Sequence, residues 1–331
     1  MPPSSRRLIF RRQELPIRGG FRISRETRRI AQSLIVEIAE GGHTGRGECT
    51  PYPRYGESVD SVIAQIESRR KEVEAGLDRE RLQTRLPPGA ARNALDCALW
   101  DLEAKQSAAP VWRRAGLPEP RMLTTAVTVS IDAPNAMAAR AAGLKAPVVK
   151  MKLAGDGADP DRVRAVAEAA PASRLILDAN EAFAPAQFER FLAALPQADA
   201  VALIEQPLPA AADEALEFMT CPVPICADES LHTRADLDRL ARRYQVINVK
   251  LDKTGGLTEA IALVEAARAR GLKIMVGCML ASSLSMAPAF LIAQQADFVD
   301  LDGPLLLDRD VENGIQFDGA RMHPPALSLW G

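Results

Sequence analysis

From residue 123 onward, short apolar runs rich in β-branched residues alternate with helical stretches. Eight such runs can be counted: TTAVTVSI, VVKMKL, LILDAN, ALIEQP, PICADE, INVKL, KIMVGCM and FVDLDG. No other feature narrows the fold so far. Parallel strands cannot be joined by a tight turn and need a crossover, usually a helix. DPDRVRAVAEAA, TRADLDRLARR and LTEAIALVEAARARG read as intervening helices. Eight strand–helix alternations predict an α/β fold, a (β/α)8-like barrel spanning residues 116–303.

The preceding part is organised differently. RRLIFRRQ, FRISRETRR and SLIVEIAE read as short strands set off by Gly and Pro turns. DSVIAQIESRRKEVEAG then reads as an amphipathic helix, and ARNALDCALWDLEAKQSAA as a more buried one. Strands followed by helices predict an α+β unit over residues 1–115, with loops near 20–30 and 50–58. The tail, residues 304–331, is too rich in Pro, Gly and turns to be an ordinary eighth helix, and is expected to pack back towards this first unit.

Five consecutive barrel strands end in a charged residue: Lys152, Asp178, Glu205, Asp228 and Lys250. The separations are 26, 27, 23 and 22 residues, each about one strand plus one helix. All five should therefore gather at the C-terminal mouth, where such barrels keep their chemistry. Side chains alternate across a strand, so residues i and i+2 share a face. Lys150 joins Lys152, Asn180 joins Asp178, Asp252 joins Lys250, and Asp300 pairs with Asp302. One such pair is weak evidence, because a solvated strand end gives the same pattern. Five successive strands with an acid or base at one end are much harder to produce by accident.

Composition removes several function classes. A net charge of −2 offers no basic field for nucleic acid or anionic lipid. No run approaches the length of a membrane span, and the N-terminus lacks the apolar core of a secretory signal, so a cytoplasmic location is expected. Five scattered cysteines argue against a disulfide framework, and three histidines far apart argue against a nitrogen- or sulfur-rich metal centre. A metal, if bound, is bound by oxygen.

Asp178, Glu205 and Asp228 supply hard oxygens on three adjacent strands, which suits Mg²⁺ or Mn²⁺, one ion per chain. The competing arrangement is a set of salt bridges to Lys152 and Lys250. A lysine acts as a base only when neutral, so its pKa must be lowered, and Lys150 or a metal could do this. Together these groups suit proton abstraction next to a carboxylate, with the metal stabilising the ene-diolate. One lysine on each side would remove the proton on one face and return it on the other, as in a racemase or epimerase. A Schiff-base aldolase also uses a barrel lysine, but it has no need of three carboxylates.

K-x-K, D-x-N, E-Q-P, D-E-S and K-x-D-K-T-G-G together resemble the barrel signature of the enolase superfamily, in its muconate-lactonizing-enzyme-like subgroup. GECTPYPRYGES, PPGAARNALDCALWDLEA, ICADES, NVKLDKTGGLTEA and DLDGP resemble the L-Ala-D/L-Glu epimerases, the dipeptide epimerases of murein-peptide metabolism. The resemblance covers nearly the whole chain and implies a capping domain, a barrel and a C-terminal return segment. By position it implies Lys152 and Lys250 as the acid/base pair, and Asp178, Glu205 and Asp228 as ligands of Mg²⁺. It further implies Lys150 on the substrate carboxylate, Asp300 and Asp302 on the dipeptide ammonium, and Thr128 as a substrate contact. Arg25, or else Arg54, would meet the glutamate side chain. GCMLASSLSMAPA departs from the pattern, and Cys278 and Met279 are expected on the substrate wall, with Cys278 as a packed residue.

The expected activity is epimerisation of L-Ala-D-Glu to L-Ala-L-Glu, with a small dipeptide as the partner and a homo-oligomer allowed. Alternatives are an epimerase for another dipeptide, an o-succinylbenzoate synthase or muconate-type lactonizing enzyme, and a non-catalytic binding barrel. The charge pattern favours a dipeptide, because a muconate-type substrate has no ammonium to occupy the paired aspartates.

Overall fold

The computed structural model describes residues 6–331. Strands β1 (Arg7–Arg22), β2 (Thr27–Glu40) and β3 (His43–Cys49) form an antiparallel sheet. Three short strands were expected here, and FRISRETRR was one of them. That segment instead spans the turn between two long strands, while SLIVEIAE lies inside β2. Arginine and glycine hide the alternation of β1, since its outward face is almost wholly charged. The helix expected over residues 60–76 is two, Val59–Ser68 and Arg70–Glu74, with Arg69 out of helical geometry between them.

Helix Ala90–Ser107 packs flat on β3. Its Ala-rich, almost wholly buried sequence permits a close approach, and Gly45 and Gly47 on β3 complete it. A Cβ at Gly47 would overlap the Ala94 carbonyl, and one at Gly45 the Ala98 carbonyl.

Eight parallel strands follow: β5 (Val127–Val129), β6 (Val148–Lys152), β7 (Arg174–Asp178), β8 (Val201–Glu205), β9 (Ile225–Ala227), β10 (Val246–Val249), β11 (Lys273–Gly277) and β12 (Phe298–Asp300). They lie side by side in chain order, as the crossover argument requires. The Ala126 amide donates to the Val299 carbonyl (2.7 Å) and the Leu301 amide to Thr125 Oγ1 (2.8 Å), drawing β12 to β5 and nearly closing the barrel. All eight strand segments read from the sequence carry these strands. TRADLDRLARR, however, forms only a short turn of helix at Arg234–Asp236 and Leu237–Leu240.

The barrel floor is a small apolar cluster of Ala126, Ile176, Leu203, Cys226, Val246 and Met275. Each of these residues precedes by two positions an inward-facing position nearer the mouth, as the pleat dictates. For Val246 that position is taken by Asn248, with Lys250 two residues further on.

The tail pairs with the chain at both ends of the molecule. β13 (Phe317–Asp318) and β14 (Arg321–Met322) join β4 (Leu123–Thr124). Beyond them the chain returns to the first unit: Trp330 Nε1 donates to the Cys97 carbonyl (3.1 Å) and the Gly331 amide to Asp101 Oδ1 (2.8 Å).

The seam between cap and barrel is held by buried acids. Asp252 Oδ1 accepts from the Thr50 amide (3.0 Å) and from Asn93 Nδ2 (2.8 Å), and Asp96 Oδ2 accepts from the Thr258 amide (2.9 Å). Asp252 therefore faces the cap and does not share a face with Lys250, because β10 has ended and a helical turn, Leu251–Thr254, has begun.

Gly47→Ala is expected to lower stability by about 1–3 kcal/mol or more, as overpacking against a backbone carbonyl cannot relax through a rotamer. Urea unfolding of the variant against the parent chain measures it.

Candidate active site

Lys152 pairs in register with Asp178, and Asp178 with Glu205, so β6, β7 and β8 end level. Asp228 follows β9 and Lys250 follows β10 directly. In the strand order β6 and β10 stand half a circuit apart. Lys152 and Lys250 therefore reach the mouth from opposite sides. Lys150, Asp300 and Asp302 complete the ring, and all of these side chains are buried.

The carboxylates were expected to converge on one point. Among the described residues, no three acidic, His or Cys side chains are so arranged. Lysines stand between them instead. Lys150 Nζ lies 2.7 Å from Glu205 Oε2, 2.7 Å from Asp300 Oδ2 and 3.1 Å from Asp178 Oδ2. Lys152 Nζ lies 2.5 Å from Asp178 Oδ2, and Lys250 Nζ 2.8 Å from Asp228 Oδ2. The physical reason is charge: buried anions take the nearest internal cations.

These contacts set the ionisation. Burial opposes the charge on Lys150 and Lys250, but the facing carboxylates overcome it and hold both amines protonated. That is the reverse of the lowering a base needs. Asp178 and Asp228 are likewise buried, yet their lysines keep them well below the usual carboxylate range. Glu205 is pushed up to about 7 by burial and by the charge of Asp178. Its Oε2, close to Lys150, receives no properly directed hydrogen bond. Lys150, shared with Asp178 and Asp300, only partly offsets that rise.

Three residues the sequence reading did not single out fix this ring. Lys253, wholly buried, lies 2.6 Å from Asp228 Oδ1 and donates to the Asn248 carbonyl (3.1 Å). It follows Lys250 by three residues in a helical turn, a spacing that could have revealed it. Asn248 Nδ2 donates to Glu205 Oε1 (2.7 Å), and glycine at position 277 leaves room for it. Gln206 Oε1 accepts from the Asp228 amide (2.9 Å) and the Ser230 amide (3.1 Å), anchoring the D-E-S segment from behind.

A cavity of about 80 Å³ opens above the ring, room for several waters at roughly 10–15 Å³ each. Its floor includes Lys150, Lys152, Asp228, Lys250, Asp300 and Asp302. Thr128 also lines it, and its amide donates to Asp302 Oδ2 (2.7 Å). Asp302 is pushed up to about 6 by burial and the neighbouring Asp300, whose own Oδ1 has no donor. Cys278 and Met279 line the wall as expected, and burial raises the Cys278 thiol far from nucleophilic range.

Neither Arg25 nor Arg54 lines this cavity. Arg25 is bound to Glu229 (3.0 Å) and Glu181 (2.9 Å), and Arg54 grips Glu181. The cap arginine on the cavity wall is Arg28, whose guanidinium lies 4.8 Å from the Tyr52 ring centroid. With arginines in both cap segments, sequence position alone could not choose among the three.

This α/β barrel, with opposed lysines and a carboxylate ring at its mouth and an α+β cap above, is shared with relatives named as epimerases and racemases, which makes the chain an isomerase. Residues 5–116 match the mandelate racemase / muconate lactonizing enzyme N-terminal domain, and residues 133–328 the enolase C-terminal domain-like family. The chain is a member of the enolase superfamily. It is 48% identical over 314 residues to the L-Ala-D/L-Glu epimerase of Escherichia coli K12, covering 93% of this chain and 96% of that one. It is 46% identical over 304 residues to the N-acetyl-D-glutamate racemase of a Pseudoalteromonas species, covering 90% and 95%. The crystal structure of an enolase family member from Agrobacterium tumefaciens with homology to dipeptide epimerases, with bound sodium and L-Ala-L-Glu, superposes with a TM-score of 0.95 at 48% identity, covering 98% of this chain and 100% of that one.

Lys253→Met should cost about 1–3 kcal/mol, because Asp228 Oδ1 and the Asn248 carbonyl lose their buried donor while Lys250 still faces Asp228 Oδ2. Urea unfolding is the measurement, and Lys253→Arg should recover part of the loss.

Proposed function

We propose that this chain epimerises the glutamate centre of L-Ala-D/L-Glu by moving a proton between Lys152 and Lys250. The observation that carries the reading is their placement half a barrel apart with the carboxylate ring between them. A substrate carbon held in the cavity between the two amines can lose its proton to one and receive a proton from the other. Each direction needs one amine neutral and its opposite charged. The carboxylate partners, Asp178 for Lys152 and Asp228 for Lys250, orient the amines and stabilise whichever is the ammonium.

Asp178, Glu205 and Asp228 would hold Mg²⁺ or Mn²⁺. Their hard oxygens suit such an ion, and Glu205 Oε2 is a buried oxygen without a directed hydrogen bond. When bound, the ion would draw off negative charge from the substrate carboxylate as the α-proton leaves. Lys150 would add a second cation at that carboxylate. Asp300, with a buried oxygen lacking a donor, and Asp302 would receive the dipeptide ammonium beside Thr128. Arg28 on the cavity wall, in place of Arg25, would meet the glutamate side-chain carboxylate. A role in murein-peptide metabolism follows from that substrate.

A second reading is racemisation of an N-acylated glutamate, supported by the 46% identity to the Pseudoalteromonas enzyme. It shares the glutamyl half and leaves Asp300 and Asp302 without an ammonium. Proton NMR in D₂O decides between them. With Mg²⁺ added, the glutamate α-proton of L-Ala-D-Glu should vanish faster than that of N-acetyl-D-glutamate, and chelation should stop both. Faster exchange of the acetyl compound would favour the second reading.

Lys152→Ala and Lys250→Ala should each abolish epimerisation. Each variant should still exchange the α-proton of one glutamate epimer, and the two should choose opposite epimers, since a single amine cannot reach both faces of the carbon. Deuterium incorporation into L-Ala-D-Glu and L-Ala-L-Glu reads this out. Exchange of the same epimer by both variants would end the two-base mechanism.

A further inference from the structure

Two loops of the cap reach over the mouth, one carrying Arg25 and the other Arg54, and both fasten on a single barrel residue. Glu181 lies three positions beyond the end of β7. Arg54 Nε and Nη2 each lie 2.7 Å from its two carboxylate oxygens, a forked pair. Arg25 Nη1 lies 2.9 Å from Glu181 Oε2 and also donates to the Asn180 carbonyl (2.7 Å). Arg25 Nη2 goes on to Glu229, a cavity-lining residue, at 3.0 Å.

Glu181 itself is rigidly presented. Its side chain is 7% exposed although both arginines are partly open to solvent, at 30% and 38%. The Ala210 amide donates to Oε1 (2.8 Å), and the Glu181 amide donates to the Gln206 carbonyl (2.8 Å). Asn180, Glu181 and Gln206 all hold left-handed backbone conformations, at φ +44°, +67° and +36°. Non-glycine residues adopt that region at an energetic cost, which this interlocked corner of the barrel sustains. The consequence is a fixed anion at the edge of the cavity, aimed outward at the cap.

We infer that Glu181 is a positioning residue, the catch on which both cap loops close to retain the substrate. Resting on the proposed dipeptide reading for its substrate, the inference gives Arg25 and Arg54 the task of holding the cap shut. Arg28, Tyr52 and Tyr55, carried on the same two segments, are thereby brought onto the cavity wall. Glu181 touches no group assigned to proton transfer, so its loss should weaken retention of substrate and leave the proton-transfer residues in place.

Limited tryptic digestion tests the catch without any substrate, since Arg25 in the loop and Arg28 at the start of β2 are themselves trypsin sites. In Glu181→Ala, cleavage after Arg25 or Arg28 should run about tenfold faster than in the parent, the scale expected for losing charge-assisted hydrogen bonds. KM for L-Ala-D-Glu should rise by a similar factor while kcat changes little, and Glu181→Gln, which keeps an acceptor and loses the charge, should fall between the two. Arg25→Ala is the second variant should Glu181→Ala fold poorly; it removes the first loop's own hold on Glu181 and should speed cleavage after Arg28. Digestion or KM indistinguishable from the parent in these variants would overturn the inference. Failure of the parent to exchange the α-proton of L-Ala-D-Glu would instead overturn the substrate assignment, and the digestion result would still decide the catch.

Discussion

The mouth of this barrel is built on the neutralisation of buried carboxylates by buried amines. Lys150 lies against Glu205, Asp300 and Asp178 at once, so oxygens from β7, β8 and β12 are tied to one nitrogen on β6. Asp228 is held between Lys250 and Lys253. Left unpaired in a low-dielectric interior, any one of these anions would give up its charge or destabilise the fold. The network does both things a site of this kind requires: it keeps the groups buried, and it fixes where each amine and each oxygen stands.

Neutralisation is incomplete, and the carboxyls left short of it are Glu205, Asp302 and Glu229. Glu205 is pushed up to about 7 while Asp178 and Asp228, the partners of the two opposed lysines, are held low. Neighbouring carboxyl groups on adjacent strands thus differ in character because their counter-charges differ. A site that strips a proton from carbon beside a carboxylate must stabilise new negative charge.

The cap contributes in a different way. Its strands and helices bury their own core, and acids at the seam, Asp252 and Asp96, take hydrogen bonds across it. The cap is therefore a fixed lid support from which only the loops near residues 25 and 54 extend over the mouth. Those loops end on Glu181 and Glu229, residues of the barrel rather than of the cap. Chemistry and access are divided between the two units.

Periodicity in the sequence was enough to place the eight barrel strands and the charged residues that end five of them. A parallel strand and its crossover have a nearly fixed length, and a pleat sends alternate residues inward, so spacing alone put Lys152, Asp178, Glu205, Asp228 and Lys250 at one mouth. The choice of oxygen chemistry followed from composition. Contacts between distant segments were decided only by the tertiary structure. Arg25 and Asn180 are 155 residues apart, and Arg54 and Glu181 are 127 apart; no local period links them, and the arginines of the two cap segments look alike in sequence. Asp252 left the face of Lys250 because the strand stopped one residue before Lys250 and a helical turn began. The long β1 was obscured for a similar reason, since its exposed, charged face is written by solvent and not by a core. Local geometry repeats along the chain and can be counted, whereas pairing across the fold depends on which surfaces meet once the whole chain has packed.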